Sequence, residues 1–247
     1  AKGRIYLVSG RAVREELASW GVAWKSIHVS GIPIDPRFTH GPLDRAEARE
    51  SFQLAPDCPT VLLMGGGNGV GPLASLAERV LELPSAPQLL VVCGKNARLR
   101  MRMRSVAEAA PGRVRVLGFT DQVPALLSAA DVIATKAGGL TCSESLAMQT
   151  PMVVFRPTPG QEEKNSLALS VAGAAIRART FEQVSSSIDR ILTHPALADS
   201  MREACRQLAR PHAAFDIARH VLGMPARAGA DGERVEAPGL AQAPQAG

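Results

Sequence analysis

The residue types needed to hold a charged, hydroxylated ligand fall on two successive loops of this sequence. The first follows the apolar run Asp131-Val-Ile-Ala134 and carries Thr135, Lys136, Gly138 and Gly139. An apolar run ending in a polar residue and two glycines reads as a strand that turns tightly into a helix, expected here from Leu140. At such a junction a lysine, free backbone N–H groups and the positive end of the helix meet at the carboxyl edge of a sheet, where anions bind. Glu144 stands one turn into that helix and points a carboxylate toward the same edge. The next apolar run, residues 152–155, ends in Pro159-Gly160-Gln161-Glu162, whose amide and carboxylate groups suit sugar hydroxyls. A cation, glycines and hydroxyl acceptors so arranged imply a nucleotide-sugar pocket.

A second glycine-rich segment, Gly65-Gly66-Gly67-Asn68-Gly69, follows TVLLM and precedes a helix expected near Pro72. Glycines let the backbone pass close to a ligand and turn its N–H groups on phosphate oxygens. The segment lacks the Gly-Lys-Ser/Thr ending of a P-loop and a fingerprint acidic residue, so it is not a clean dinucleotide site. A turn that only packs helix on strand is the competing account. Lys95 follows a strand end as Lys136 does, and a plain solvated lysine is the alternative for both. Thr141-Cys-Ser-Glu144 also matches a capping box, a role that needs no ligand. Phe119 and Thr120 end another strand, with Phe119 either core or beside a base, and Asp121 is expected to cap the helix that follows. The histidines, His28, His40, His194, His212 and His220, form no spaced ligand set, and no metal site is expected.

Apolar runs alternate with helical patterns along the chain, which predicts parallel strands joined by crossover helices, an α/β doubly wound sheet. Strands are expected at 4–9, 26–30, 60–64, 88–93, 113–117, 131–135, 152–155 and 174–177. Helices are expected at 10–20, 44–53, 71–83, 96–110, 122–129, 140–149, 161–172, 181–193, 196–209 and 212–222. Residues 225–247 are rich in Ala, Gly and Pro without apolar periodicity and read as a disordered tail.

The 247 residues suffice for one large or two small domains with an ample core. A hydrophobic content of 46% is that of an ordinary globular protein, and no apolar run approaches the ~20 residues of a membrane span. The opening AKGRIYLVSG lacks the apolar core and cleavage site of a signal peptide. It starts without Met, so the sequence reads as a piece of a longer chain. Cys58, Cys93, Cys142 and Cys205 are widely spaced, which fits small, mostly buried residues in a reducing cytoplasm. A net charge of +5 favours anionic partners. Arg98, Arg100, Arg102 and Arg104 form either a solvated helix face or a surface for anionic lipid headgroups. Nucleic acid is set aside as a partner, since only 4% of residues are aromatic and no recognition motif occurs.

Several pieces occur together and in order: Gly31-Ile-Pro-Ile-Asp-Pro-Arg-Phe38, Met64-Gly-Gly-Gly-Asn-Gly69, Val92-Cys-Gly-Lys-Asn96, Gly118-Phe119, Thr135-Lys-Ala-Gly-Gly139, Glu144 and Pro159-Gly-Gln-Glu-Glu-Lys-Asn165. This set resembles the donor-binding half of GT-B glycosyltransferases, specifically the monogalactosyldiacylglycerol synthase and processive diacylglycerol glucosyltransferase family. The likeness spans residues 4–177. The lipid-linked N-acetylglucosaminyl transferase of peptidoglycan synthesis is similar in order, with a different glycine loop. The resemblance implies a Rossmann-like GT-B carboxy-terminal domain at 39–224, preceded at 1–38 by the end of an amino-terminal acceptor domain and a linker.

It also implies a UDP-hexose substrate, no cofactor, a lipid acceptor such as diacylglycerol, and inverting transfer without metal. By the same resemblance, Phe119 and Thr120 lie at the uracil and Glu144 at the ribose, with Thr141 also among the donor-binding residues. Lys136, Gly138, Gly139 and residues 65–69 surround the phosphates, while Gly160, Gln161, Glu162 and Asn165 meet the hexose. The general base is expected in the amino-terminal domain, so no catalytic residue is assigned and this piece alone is expected to bind donor without transferring sugar. A cytoplasmic place, peripheral at the inner membrane face, is expected. Two alternatives are a donor-binding subunit of a split glycosyltransferase and a UDP-sugar 2-epimerase. The epimerase would want acidic and histidine groups near the glycine turn, which Lys136-Ala-Gly-Gly139 lacks. The sequence departs from the family where Ala137 and Gly139 line the turn, and where Gln149 takes a place commonly held by glycine.

Overall fold

In the computed structural model, residues 4–39 and 43–224 are described, and the tail expected at 225–247 lies outside them. A short unit comes first: β1 (Tyr6–Val8), α1 (Arg11–Ser19) and β2 (Ile27–Val29), with the two strands parallel. A linker leads to α2 (Arg45–Ser51), β3 (Thr60–Met64), α3 (Leu73–Leu81), β4 (Gln88–Val92), α4 (Ala97–Ala109) and β5 (Val114–Leu117). Then follow α5 (Val123–Ala129), β6 (Val132–Thr135), α6 (Gly139–Ala147), β7 (Met152–Phe155), α7 (Gln161–Val171) and β8 (Ala175–Ala178). Three helices close the order, α8 (Phe181–Thr193), α9 (Pro195–Leu208) and α10 (Ala213–Val221). Each expected strand and helix is present within a few residues of its expected bounds.

β3 to β8 form one parallel sheet in the order β5-β4-β3-β6-β7-β8. The chain steps outward from β3 to β4 and β5, then returns to the other side of β3 with β6. That reversal makes β3 and β6 the switch point, where open α/β sheets leave a crevice at the carboxyl ends of their strands. Both faces of the sheet are covered, which is why β3, β4, β6 and β7 are buried along their whole length and read as continuous apolar runs. One face packs Val61, Leu63, Leu89 and Val91 against α3, α4 and α8. The other packs Leu62, Leu90, Ile133 and Val154 against α5, α6 and the linker residues Ile34 and Phe38. Each large side chain so removed from water contributes about 1.5–3 kcal/mol.

At the amino edge of the sheet, Asp131 anchors α2. Its carboxylate accepts from the amide of Thr60 at 2.8 Å and from Arg49 at 2.7 Å, and it is also bonded to Arg45. The Arg49 guanidinium is buried and spends its remaining donors on the carbonyls of Ala129 and Pro56. Such a pair is tolerated inside only because every charge is met by hydrogen bonds.

The amino-terminal unit rests on the larger one through particular contacts. The rings of His28 and His220 lie 4.5 Å apart, and Lys164 on α7 is 2.7 Å from Glu16 on α1. The four cysteines are free, with Cys93, Cys142 and Cys205 buried. No helix among the described residues is long and apolar enough to cross a membrane.

Candidate functional site

The carboxyl edge at the switch point is built first by two interlocked loops. After β3, the chain turns within residues 65–70, where the amide of Gly69 donates to the carbonyl of Gly66 and that of Val70 to Gly65. The loop after β4 clasps this turn: Lys95 N donates to Gly67 O at 3.0 Å, and Asn96 Nδ2 to Gly69 O at 3.1 Å. Backbone meets backbone here, since a methyl on Gly69 would lie 2.0 Å from Cys93 O and one on Gly94 2.3 Å from Gly67 O. Both glycines also hold positive φ, +56° and +55°. The outcome is a rigid turn whose amides at Gly66, Gly67 and Asn68 have no acceptor among the described residues. On an exposed turn, these amides are open to an acceptor from solvent, the geometry in which successive backbone N–H groups can meet an anion.

A second set of free amides opens α6. Its cap is Gly138, extended at φ −66° and ψ 137°, with no side-chain capping bond. The first internal bond runs from Cys142 N to Gly138 O, which leaves the amides of Gly139, Leu140 and Thr141 unpaired. The capping box, the competing account of Glu144, is therefore not formed. Thr141 lies inside the helix, and Ser145 Oγ donates to its carbonyl. Glu144 is thereby released from capping, and its carboxylate has no hydrogen-bond or ion-pair partner among the described residues. Burial, and next the neighbouring Asp35, hold this carboxyl above its ordinary range. A half-buried, unpartnered carboxylate is well suited to accept a ligand's hydroxyl hydrogens.

α7 starts at Gln161 after Gly160, which turns the chain at φ +94°. Glu162 accepts from the amide of Thr158 at 2.8 Å and pairs with Lys136 at 2.9 Å. Burial pushes this carboxyl up, yet the Thr158 amide and Lys136 outweigh it and hold it below the usual carboxylate range. Asn165 Nδ2 donates to Ala137 O at 3.1 Å, fastening α7 to the turn before α6. Gln161 is exposed at the helix start. Cys142 lies among these groups. Burial first, then Glu162 and Glu144, push its thiol up to about 12, so it is no nucleophile at neutral pH.

The turn after β5 closes the other side. Phe119 is 66% exposed, which sets aside its reading as core, and its ring lies against Gly67. Thr120 Oγ1 accepts from Gln122 N at 3.1 Å, and α5 is capped at Gln122 without a side-chain bond, so Asp121 is not the cap. Asp121 instead faces Arg37 of the linker, whose Nη1 lies 3.4 Å from Asp121 O and 3.9 Å from Asp121 Oδ2. Arg37 in turn donates to Asp35, the residue beside Glu144. Ile32 of the same linker packs on Gly139, where a methyl would lie 2.9 Å from Ile32 Cδ1.

The structure thus brings residues 65–69, Phe119, Thr120, Lys136, Gly138, Gly139, Thr141, Glu144, Gly160, Gln161, Glu162 and Asn165 to one edge of one sheet. Asp35, Arg37 and Ile32 of the linker join them, which sequence reasoning did not expect. The local signal was the Asp35-Pro36 helix start, in which Asp35 caps a single turn by accepting from Arg37 N.

The arginines of α4 are all exposed but differ in their contacts. Arg100 turns toward Gly118, and Arg102 reaches Glu78 and Ser75. Arg98 and Arg104 flank the exposed Met101. Among the described residues no cluster of His, Cys, Asp and Glu could hold a metal ion.

The chain is similar to known proteins in sequence and in fold. A processive diacylglycerol beta-glucosyltransferase of Bacillus licheniformis is 31% identical over 205 residues, covering 82% of this chain and 53% of its own length. The enzyme of the same name from Bacillus pumilus is 29% identical over 219 residues, covering 88% of this chain and 56% of its own length. The chain thus spans about half the length of the curated relatives it matches. The fold is that of S. aureus MnaA in its UDP co-structure, with a TM-score of 0.69 at 17% identity over 88% of this chain and 60% of that one. It is also that of Acinetobacter baumannii MurG, with a TM-score of 0.62 at 22% identity over 88% of this chain and 64% of that one. Both are GT-B-like folds, in agreement with the parallel sheet seen here. Residues 60–216, the whole of the six-stranded sheet and the loops at its carboxyl edge, match the glycosyltransferase family 28 C-terminal domain, and the chain belongs to that family.

Proposed function

We propose that this chain is the donor-binding half of a hexosyltransferase that passes a sugar from UDP-hexose to a lipid hydroxyl, with diacylglycerol as acceptor. The observation that carries this reading is the convergence of two rows of unpaired amides, at residues 66–68 and 139–141, with the unpartnered carboxylate of Glu144. The amides suit a diphosphate, since fixed dipoles need no reorganisation when negative charge develops on a leaving group. Glu144 suits the ribose diol, Thr120 and Phe119 the base, and Gln161, Glu162 and Asn165 the hexose. Because the amides and the cations of the edge can carry the leaving charge, the transfer is expected to need no divalent ion.

Attack by a lipid hydroxyl also requires a base to take its proton. The matched part of this chain spans about half the length of the relatives, and the base is expected in the part they have in addition. Inversion at the sugar follows from a single in-line displacement. With a lipid acceptor the reaction is expected at a membrane surface, and we propose its cytoplasmic face. Arg98 and Arg104, on either side of the exposed Met101, are suited to anionic headgroups at about 1 kcal/mol each.

Titration calorimetry with UDP and UDP-hexose tests this reading. The chain is expected to bind both without added metal and to show no transfer to diacylglycerol on its own. A folded sample that binds neither nucleotide overturns it.

A further inference from the structure

The cations at the carboxyl edge are not equivalent. Lys136 is committed to Glu162 at 2.9 Å, and Arg37 to Asp35 and Asp121. Lys95 has no carboxylate or carbonyl partner for its ammonium among the described residues, and Nζ lies 5.5 Å from the centre of the Phe119 ring. Its backbone is nevertheless fixed, because Lys95 N donates to Gly67 O in the interlock of the two loops. The side chain therefore rises from the segment bonded to the turn that carries the open amides of Gly66, Gly67 and Asn68. The Phe119 ring stands on the same side, 3.9 Å from where a methyl on Gly67 would be. Arg100, also without a carboxylate partner, reaches the Gly118 side of that turn, so its charge adds to the field there.

A cation resting on an exposed ring is weakly held, and a diphosphate arriving on the adjacent amides offers it far more. Lys136 also approaches the glycine turn, its Cε 3.6 Å from where a methyl on Gly66 would lie, but Glu162 already neutralises it. We infer that Lys95, rather than Lys136, is the cation that meets the diphosphate of the bound nucleotide, with the Phe119 ring as its seat while the site is empty. This rests on the reading of the edge as a UDP-sugar site and names a residue of that site.

The test compares the wild-type chain with Lys95→Met and Lys95→Arg by calorimetry, using UDP and uridine as probes at two salt concentrations. Lys95→Met is expected to weaken UDP binding roughly tenfold or more, to flatten its salt dependence, and to leave uridine binding unchanged. Lys95→Arg is expected to retain most of the UDP affinity. If Lys95→Met binds UDP as the wild type does, the inference falls while the UDP-sugar reading stands. If it weakens UDP and uridine by the same factor, Lys95 acts through Phe119 on the base, and the inference also falls. A wild-type chain that binds no UDP removes the reading and the inference together.

Discussion

Lys136 Nζ lies 2.9 Å from Glu162 Oε1, so the lysine that ends β6 is already paired by the first turn of α7. The second Glu162 oxygen accepts from the amide of Thr158, so the carboxylate holds the loop after β7 as well as the cation. The two loops expected to share a ligand are thus joined to each other before any ligand arrives.

Glu162→Gln should unmask Lys136. UDP affinity is expected to rise about 3–10-fold as a negative charge leaves the diphosphate's surroundings, while the extra affinity of UDP-hexose over UDP falls. Calorimetry with the two ligands separates these effects. Stability should respond to pH with a definite sign. The folded-state pKa of Glu162 is depressed, so its contribution is present above the ordinary glutamate range and is lost as pH falls through the folded value. Acid melting curves should therefore show a steeper loss for the wild type than for Glu162→Gln.

Glu144 stands in the opposite condition. Burial and Asp35 raise its folded-state pKa, so the protonated form favours folding and ionisation costs stability as pH rises. Glu144→Gln is expected to stabilise the chain at neutral pH, with the gain shrinking as pH falls through the ordinary glutamate range. The same change should weaken UDP binding on the order of 10²-fold, because one charge-assisted hydrogen bond at about 1.5–3 kcal/mol is lost and the other keeps only a neutral acceptor. A melting temperature and a binding constant that move in opposite senses would mark Glu144 as kept for a ligand. A fall in both would assign it to the fold.

The parts legible in the sequence were those governed by local pattern. Apolar runs such as TVLLM and QLLVV became β3 and β4 because a strand covered on both faces must be apolar along its length. The glycines at 65–69 marked the tight turn for the same local reason. Local pattern misled where two local rules competed. Thr141 and Glu144 have capping-box spacing, but Gly138 is already extended and begins the helix earlier through its backbone alone. Asp121 has the composition of a cap, yet Arg37 draws it outward across 84 residues of sequence. Pairings such as Lys136 with Glu162, or the linker with Gly139, depend on which loops the sheet order brings together. No periodicity within one segment records that. On α4 the same dependence shows in Arg102, whose contacts with Glu78 and Ser75 on α3 no periodicity of α4 records.

Gln149 shows a departure from the family with a physical consequence. It follows α6 at φ +54°, in the left-handed region, and its amide donates to Leu146 O while Thr150 N donates to Ser145 O. This is the helix-ending turn that glycine favours, because any Cβ there crowds the following carbonyl at about 1–2 kcal/mol. Gln149 is exposed, and among the described residues no side-chain bond offsets that strain. Gln149→Gly is expected to stabilise the chain by about 0.5–1 kcal/mol, since relief of strain exceeds the added freedom of the unfolded chain. A denaturant titration should show the midpoint moving upward with an unchanged slope. Because the turn lies at the amino edge of the sheet, opposite the glycine loops, UDP affinity should stay as it was. A lower midpoint would mean that the Gln149 side chain contributes something to folding that its contacts do not reveal.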